Sequence, residues 1–215
     1  MRWKFILGLL TTCAVLMSMS YTMLIPFLPM YLIQDLGVVK ADVDMWSGAI
    51  FAITFLVSGI MAPIWGALAD KKSRKLMALR AGFCLAITYF LGGLVTNPWE
   101  LLGVRFIQGL SAGLWPALLA IISVESPKLK LGFCLGVMQG GMTAGGVLGP
   151  LFGGLLADQF GMRMAFFIAA AALFLITLAL LFFVKEEPRK PDPNAKPVKI
   201  WDFSLCKIPA VKRML

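Results

Sequence analysis

The sequence predicts an all-α membrane protein, with six transmembrane helices arranged as two inverted three-helix repeats. Three observations predict it. Apolar residues make up 60% of the 215-residue chain and charged residues 14%, against about 45–50% and about 25% in soluble domains. The apolar residues gather in six long runs rather than spreading evenly, and a helix needs about 20 of them to cross the hydrocarbon core. A short pattern at the end of the second run returns at the end of the fifth: Gly66-Ala67-Leu68-Ala69-Asp70 and Gly154-Leu155-Leu156-Ala157-Asp158. Three spans separate the copies, so they face opposite sides of the membrane, as inverted repeats require.

The first run covers about residues 5–33. Arg2, Lys4 and the start of this run imitate a signal peptide, but the apolar stretch is too long for one. Leu10-Thr11-Thr12-Cys13 resembles a lipoprotein cleavage box, except that Thr12 stands where a small residue is needed. The run is therefore read as a retained helix. The others cover about 46–69, 76–95, 99–122, 131–156 and 164–184. Each is continuously apolar, whereas a barrel strand alternates over about 10 residues. Pro26 and Pro29 should bend or loosen the first helix near its outer half.

Basic residues set the orientation. With the N-terminus inside, the inner segments hold Arg2, Lys4, Lys71, Lys72, Arg74, Lys75, Arg80, Lys128, Lys130 and the basic residues from Lys185 onward; the outer loops hold Lys40 and Arg163. The expectation is a multi-pass protein of the cell (inner or plasma) membrane with both termini cytoplasmic. Residues 1–185 form the bundle. Residues 186–215 read as a cytoplasmic linker, the start of a central loop, rich in Pro and Lys to about Val198. The stretch 200–215 suits either an amphipathic helix at the inner membrane surface or a partly ordered linker.

Several function classes are excluded. The net charge of +9 comes from short loops and the tail, which offer no groove for nucleic acid. The four cysteines share no metal-ligand spacing and there is no His, so neither a metal nor a cofactor is expected. No nucleophile–base pair or nucleotide loop supports an enzyme.

Three patterns carry chemistry. The 2–3 loop reads Gly66-Ala67-Leu68-Ala69-Asp70-Lys71-Lys72-Ser73-Arg74-Lys75. Topology alone explains the bases, but not the acid four residues after Gly66. Such an acid can pair with bases and with a helix N-terminus in one state and release them in another. The fourth span carries Leu101, Arg105, Gln108 and Gly109. An Arg in hydrocarbon faces a cavity or a partner unless it snorkels to the interface; Gln108 and Gly109 favour burial. The fifth span carries Gly136, Gly145, Gly149, Pro150, Gly153 and Gly154, with Gly140, Gly141 and Gly146 between. These leave a nearly bare stripe for close helix packing, and Pro150 permits a kink.

Asp35 is placed at the outer mouth, Glu100 at the start of the fourth span and Glu125 at its inner end. None lies at a midplane position. Either Asp35 or Glu100 reaches into a cavity near Arg105, or the acid that answers Arg105 lies outside this chain. Met17, Met19, Met23, Met30, Met138 and Met142 either line an adaptable apolar pocket or face lipid.

These patterns, in this order and in these helices, resemble the major facilitator superfamily over about residues 5–185. The resemblance implies the N-terminal six-helix bundle of that fold. It implies a gating charge network at Gly66, Asp70, Lys71 and Arg74, with Ser73 standing where the family usually has Gly. It assigns Arg105 and Gln108 to proton coupling, with Asp35 and Glu100 as candidate carboxylates. The fifth-span pattern resembles the antiporter signature, which marks drug:proton antiporters. The implied function is export of hydrophobic compounds in exchange for protons by alternating access. The implied partners are a small hydrophobic substrate, protons, membrane lipid, and a missing C-terminal six-helix half or a second copy. The alternatives are another small-metabolite porter of the superfamily, or an inactive membrane fragment or assembly partner.

Overall fold

The computed structural model describes residues 2–71 and 73–184, apart from the side chains of Arg2, Ala67, Asp70 and Lys71. The linker and the 200–215 segment lie outside the described residues. Among the described residues, six helical segments are long and apolar enough to cross a membrane, in the order expected.

The first span is two helices, not one bent helix: α1 (Arg2–Met23) and α2 (Leu28–Gln34). Pro26 has no N–H for the carbonyl of Thr22, which instead accepts from the amide of Ile25 at 3.3 Å. Pro29 falls in the first turn of α2, where no intrahelical donor is needed. A 3-10 turn (Lys40–Asp42) leads into α3 (Val43–Lys71), and α4 (Arg74–Leu94) follows. Ser73 caps α4, its hydroxyl accepting from the amide of Leu76 at 3.0 Å.

The fourth span, expected as one run, is also broken, into α5 (Pro98–Leu110) and α6 (Leu114–Glu125). Gly113 sits between them at φ +118°, a left-handed backbone that only glycine adopts cheaply. The fifth span is α7 (Leu131–Phe160), which runs through Pro150 without ending. Gly161, at φ +80°, turns the chain into α8 (Met162–Phe183).

The closest-packed partners are α1 with α7, α4 with α8, and α3 with α5. In terms of spans these are 1–5, 3–6 and 2–4. Exchanging spans 1, 2 and 3 for 4, 5 and 6 turns 1–5 into 4–2 and leaves 3–6 unchanged. The packing therefore has the symmetry of two inverted three-helix units. The third span is the most enclosed, and the second and fifth are the least. Large apolar side chains stay exposed on α3 (Phe55, Leu56), α7 (Val147, Leu151) and α8 (Leu175, Phe182), as suits contact with lipid or with further helices.

Candidate transport site

The fourth span places the polar groups. At its start, Asn97 accepts from the amide of Glu100 at 2.9 Å. Glu100 reaches back to accept from the amide of Thr96 at 2.8 Å and its hydroxyl at 3.2 Å. This reciprocal cap fixes where α5 begins. Leu101, Arg105, Gln108 and Gly109 are its buried residues, and steps of four, three and one keep them on one face. Gly109 lets α5 lie against α3: a Cβ there would come within 2.8 Å of the Thr54 carbonyl and the Val57 side chain. The hydroxyl of Thr54 also approaches the carbonyl of Arg105 at 3.4 Å.

Arg105 is 5% exposed and Gln108 3%, so Arg105 does not snorkel. Its Nη1 donates to Oε1 of Gln108 at 2.9 Å, and its guanidinium lies 6.0 Å from the centre of the Tyr89 ring, within reach of a cation–π attraction. Thr88, Gly92 and Phe166 complete a narrow crevice around them. Nη2 of Arg105, Nε2 of Gln108 and the Tyr89 hydroxyl are buried there without a well-aligned hydrogen bond among the described residues, although the hydroxyls of Tyr89 and Tyr21 lie near enough to Gln108 for a weak one. Tyr21 on α1 also lies within electrostatic reach of Arg105. A buried cation with spare donors is costly. It is a site whose energy drops sharply when a negative group arrives, and a carboxyl brought beside it would be held ionised.

Among the described residues no carboxylate pairs with Arg105. Asp35 instead pairs with Arg163, Oδ1 to Nε at 3.2 Å, tying the far ends of the first and sixth spans. Glu100 is occupied in the cap. Of the two candidate carboxylates, the structure brings neither to the guanidinium. In the 2–3 loop, Gly66 is exposed on α3 and Arg74 begins α4; the side chains of Asp70 and Lys71 lie outside the description.

The fifth-span glycines divide between two faces. At Gly145, Gly149 and Gly153 a Cβ would strike the backbone of α1 at Val15, Met19 and Met23; at Gly154 it would meet the Phe27 ring at 3.1 Å. Gly141 meets the Thr11 side chain in the same row. Gly136, with Gly132 and Gly140, has nothing within 4 Å. The motif is thus a packing stripe against the first span plus an open stripe on another face.

Sequence reading missed Tyr89 as a member of the site, because a Tyr in an apolar helix looks like packing. It also missed Trp65 and Arg80 at the fourth-span break, where Trp65 Nε1 donates to the carbonyl of Leu110 at 2.8 Å and Arg80 Nη2 to that of Ala112 at 3.0 Å. The glycine at 113 followed three residues later by Pro116 was the available signal.

Comparison with known proteins bears on the family and the fold. The family described as the Major Facilitator Superfamily matches residues 10–212. Among curated relatives, the multidrug resistance protein MdtG of Citrobacter koseri is 43% identical over 186 residues, covering 86% of this chain and 46% of that protein. MdtG of Yersinia enterocolitica is 41% identical over 187 residues, covering 86% and 45%. The chain thus spans about half the length of the curated relatives it matches. Among solved structures, a bacterial homologue of the human lysosomal transporter Spinster, inward-facing and unoccupied, superposes with a TM-score of 0.73 at 23% identity, covering 92% of this chain and 46% of that one. The human organic anion transporter MFSD10 gives 0.68 at 21% identity, covering 83% and 47%. These two share the fold. With six membrane-spanning helices, inverted packing and a family match across most of its length, this chain belongs to the Major Facilitator Superfamily and corresponds to the N-terminal six-helix half of such a transporter.

Proposed function

We propose that the bundle is one half of an exporter that moves hydrophobic compounds out of the cell in exchange for protons, by alternating access. The observation that carries the reading is Arg105, buried in the fourth span with Gln108 and lacking a carboxylate among the described residues. A fixed cation makes the protonation of any carboxyl that approaches it depend on conformation, and such dependence is what couples proton movement to rocking. The multidrug resistance proteins that are 41–43% identical to this chain over 186–187 aligned residues support drug-like compounds as the substrate class. The carboxylate that answers Arg105 would come from the second six-helix half or from rearrangement of this one. Basic residues concentrate around the 2–3 and 4–5 loops, which favours placing those loops and both termini in the cytoplasm.

The test uses proteoliposomes of the transporter that carries this bundle, with a pH-sensitive dye inside. A hydrophobic substrate should drive a proton flux, and Arg105→Ala should abolish it while leaving insertion and yield unchanged. Undiminished flux from Arg105→Ala would overturn the reading.

A further inference from the structure

A break inside a bilayer strands backbone carbonyls that hydrocarbon cannot satisfy. The fourth span breaks midway, and two of its carbonyls are in that position. In a continuous helix the carbonyl of Ala112 would accept from the amide of residue 116. Residue 116 is Pro116, which has no N–H. Arg80, on α4, makes the bond instead: Nη2 donates to Ala112 O at 3.0 Å. The carbonyl of Leu110 would accept from Leu114, but the left-handed turn at Gly113 (φ +118°) carries the chain out of line. Trp65, on α3, takes that place, with Nε1 donating at 2.8 Å. The two side chains also hold each other, the guanidinium carbon of Arg80 lying 3.4 Å from the centre of the Trp65 ring. One joint therefore binds the second, third and fourth spans at the point where the fourth is weakest.

That joint grips α5 two residues beyond Gln108 and five beyond Arg105. Five residues are about 7.5 Å along a helix axis. A tilt of α5 about the joint is thus passed directly to the Arg105 cluster, where a functional group needs placement to within about 0.5 Å.

We infer that Trp65 and Arg80 are positioning residues for Arg105 and Gln108, clamping the broken fourth span so that α5 keeps one direction. Their role in transport rests on the proton-coupling reading of Arg105. The clamp itself is a physical property of the bundle and can be measured without transport.

The variants are Arg80→Lys, which keeps charge but loses the planar fork, and Trp65→Phe, which keeps the ring but loses the N–H. In the purified chain with 15N-labelled indoles, the Trp65 resonance is assigned by its loss in Trp65→Phe. Its solvent exchange should accelerate at least tenfold in Arg80→Lys; unchanged exchange overturns the joint. In the full transporter, both variants should cut kcat for substrate-driven proton flux at least tenfold, with KM little changed. The pH midpoint of the flux should move, while yield and Tm are kept. A normal pH profile, or a loss of flux that only tracks a loss of folded protein, overturns the positioning role. Arg105→Ala is run alongside. If it retains full coupling, the proposed function fails and the joint stands or falls on indole exchange alone. If it loses coupling while Arg80→Lys and Trp65→Phe do not, the inference fails and the proposed function survives.

Discussion

Replacing Gly149 with Ala probes the contact that holds the first and fifth spans together. The added Cβ would sit 2.7 Å from the carbonyl oxygen of Met19 and 3.0 Å from the amide nitrogen of Met23, and would also strike the Thr22 hydroxyl. The first distance falls short of ordinary contact by about 0.7 Å. Two of these three atoms are backbone in the last two turns of α1, so a rotamer change cannot relieve the clash and the helices must part. Overpacking of this kind costs about 1–3 kcal/mol. A separation of 0.5–1 Å also forfeits a quarter to a half of each dispersion contact along the seam. Helix propensity works in the opposite direction, since Ala is favoured over Gly by about 0.8–1.0 kcal/mol. We expect a net loss of up to about 2 kcal/mol once the propensity gain is set against the overpacking. Gly136→Ala is the matched control: nothing lies within 4 Å of its Cβ position, so only the propensity gain of up to about 1 kcal/mol remains. The assay is SDS titration of the purified bundle in mixed micelles, followed by tryptophan fluorescence. The midpoint should fall for Gly149→Ala and hold or rise for Gly136→Ala. Equal effects from the two substitutions would refute the division of the glycines into two faces.

Tyr31→Phe should destabilise the bundle by about 1–3 kcal/mol, because it strands a buried carbonyl. The Tyr31 hydroxyl donates to the carbonyl of Gly92 at 2.9 Å, and the helical donor for that carbonyl, the amide of Thr96, is held by Glu100 at 2.8 Å. The same SDS titration reads the loss, and an unchanged midpoint would count against the bond. Asp35→Asn should cost about 1 kcal/mol or less and lose part of its effect in high salt, since the pair with Arg163 is partly exposed. A large, salt-insensitive loss in the titration would mean that Asp35 does more than tie two helix ends.

The spans were legible because bilayer thickness is a length constraint, and hydropathy averaged over that length reports it directly. Hydropathy does not report the breaks at 24–27 and 111–113, since a turn changes backbone direction without changing its mean; Pro26 and Pro29 announce a bend or loosening at the first, but not a full interruption. Arg105 stood out because a charge in an apolar run has few explanations, and Gln108 three residues on shared its face. Tyr89 joins the site through the third span, and no spacing rule links residues 89 and 105 across two helices. The pairing of Asp35 with Arg163 spans 128 positions and depends on how the first and sixth spans meet. The spacing of the glycines suggests one stripe, although steps of four link 141, 145, 149 and 153 in one row and 132, 136 and 140 in another.

Pro116 leaves a mark that evolution should reveal. Because it withholds one amide hydrogen, a basic side chain one helix away is tied to its presence. A lineage that exchanges the imino acid at 116 for an ordinary residue restores the local donor and frees position 80 to drift. Across homologues the two sites should therefore change together, in a pairwise dependence that neither helix would show when aligned alone.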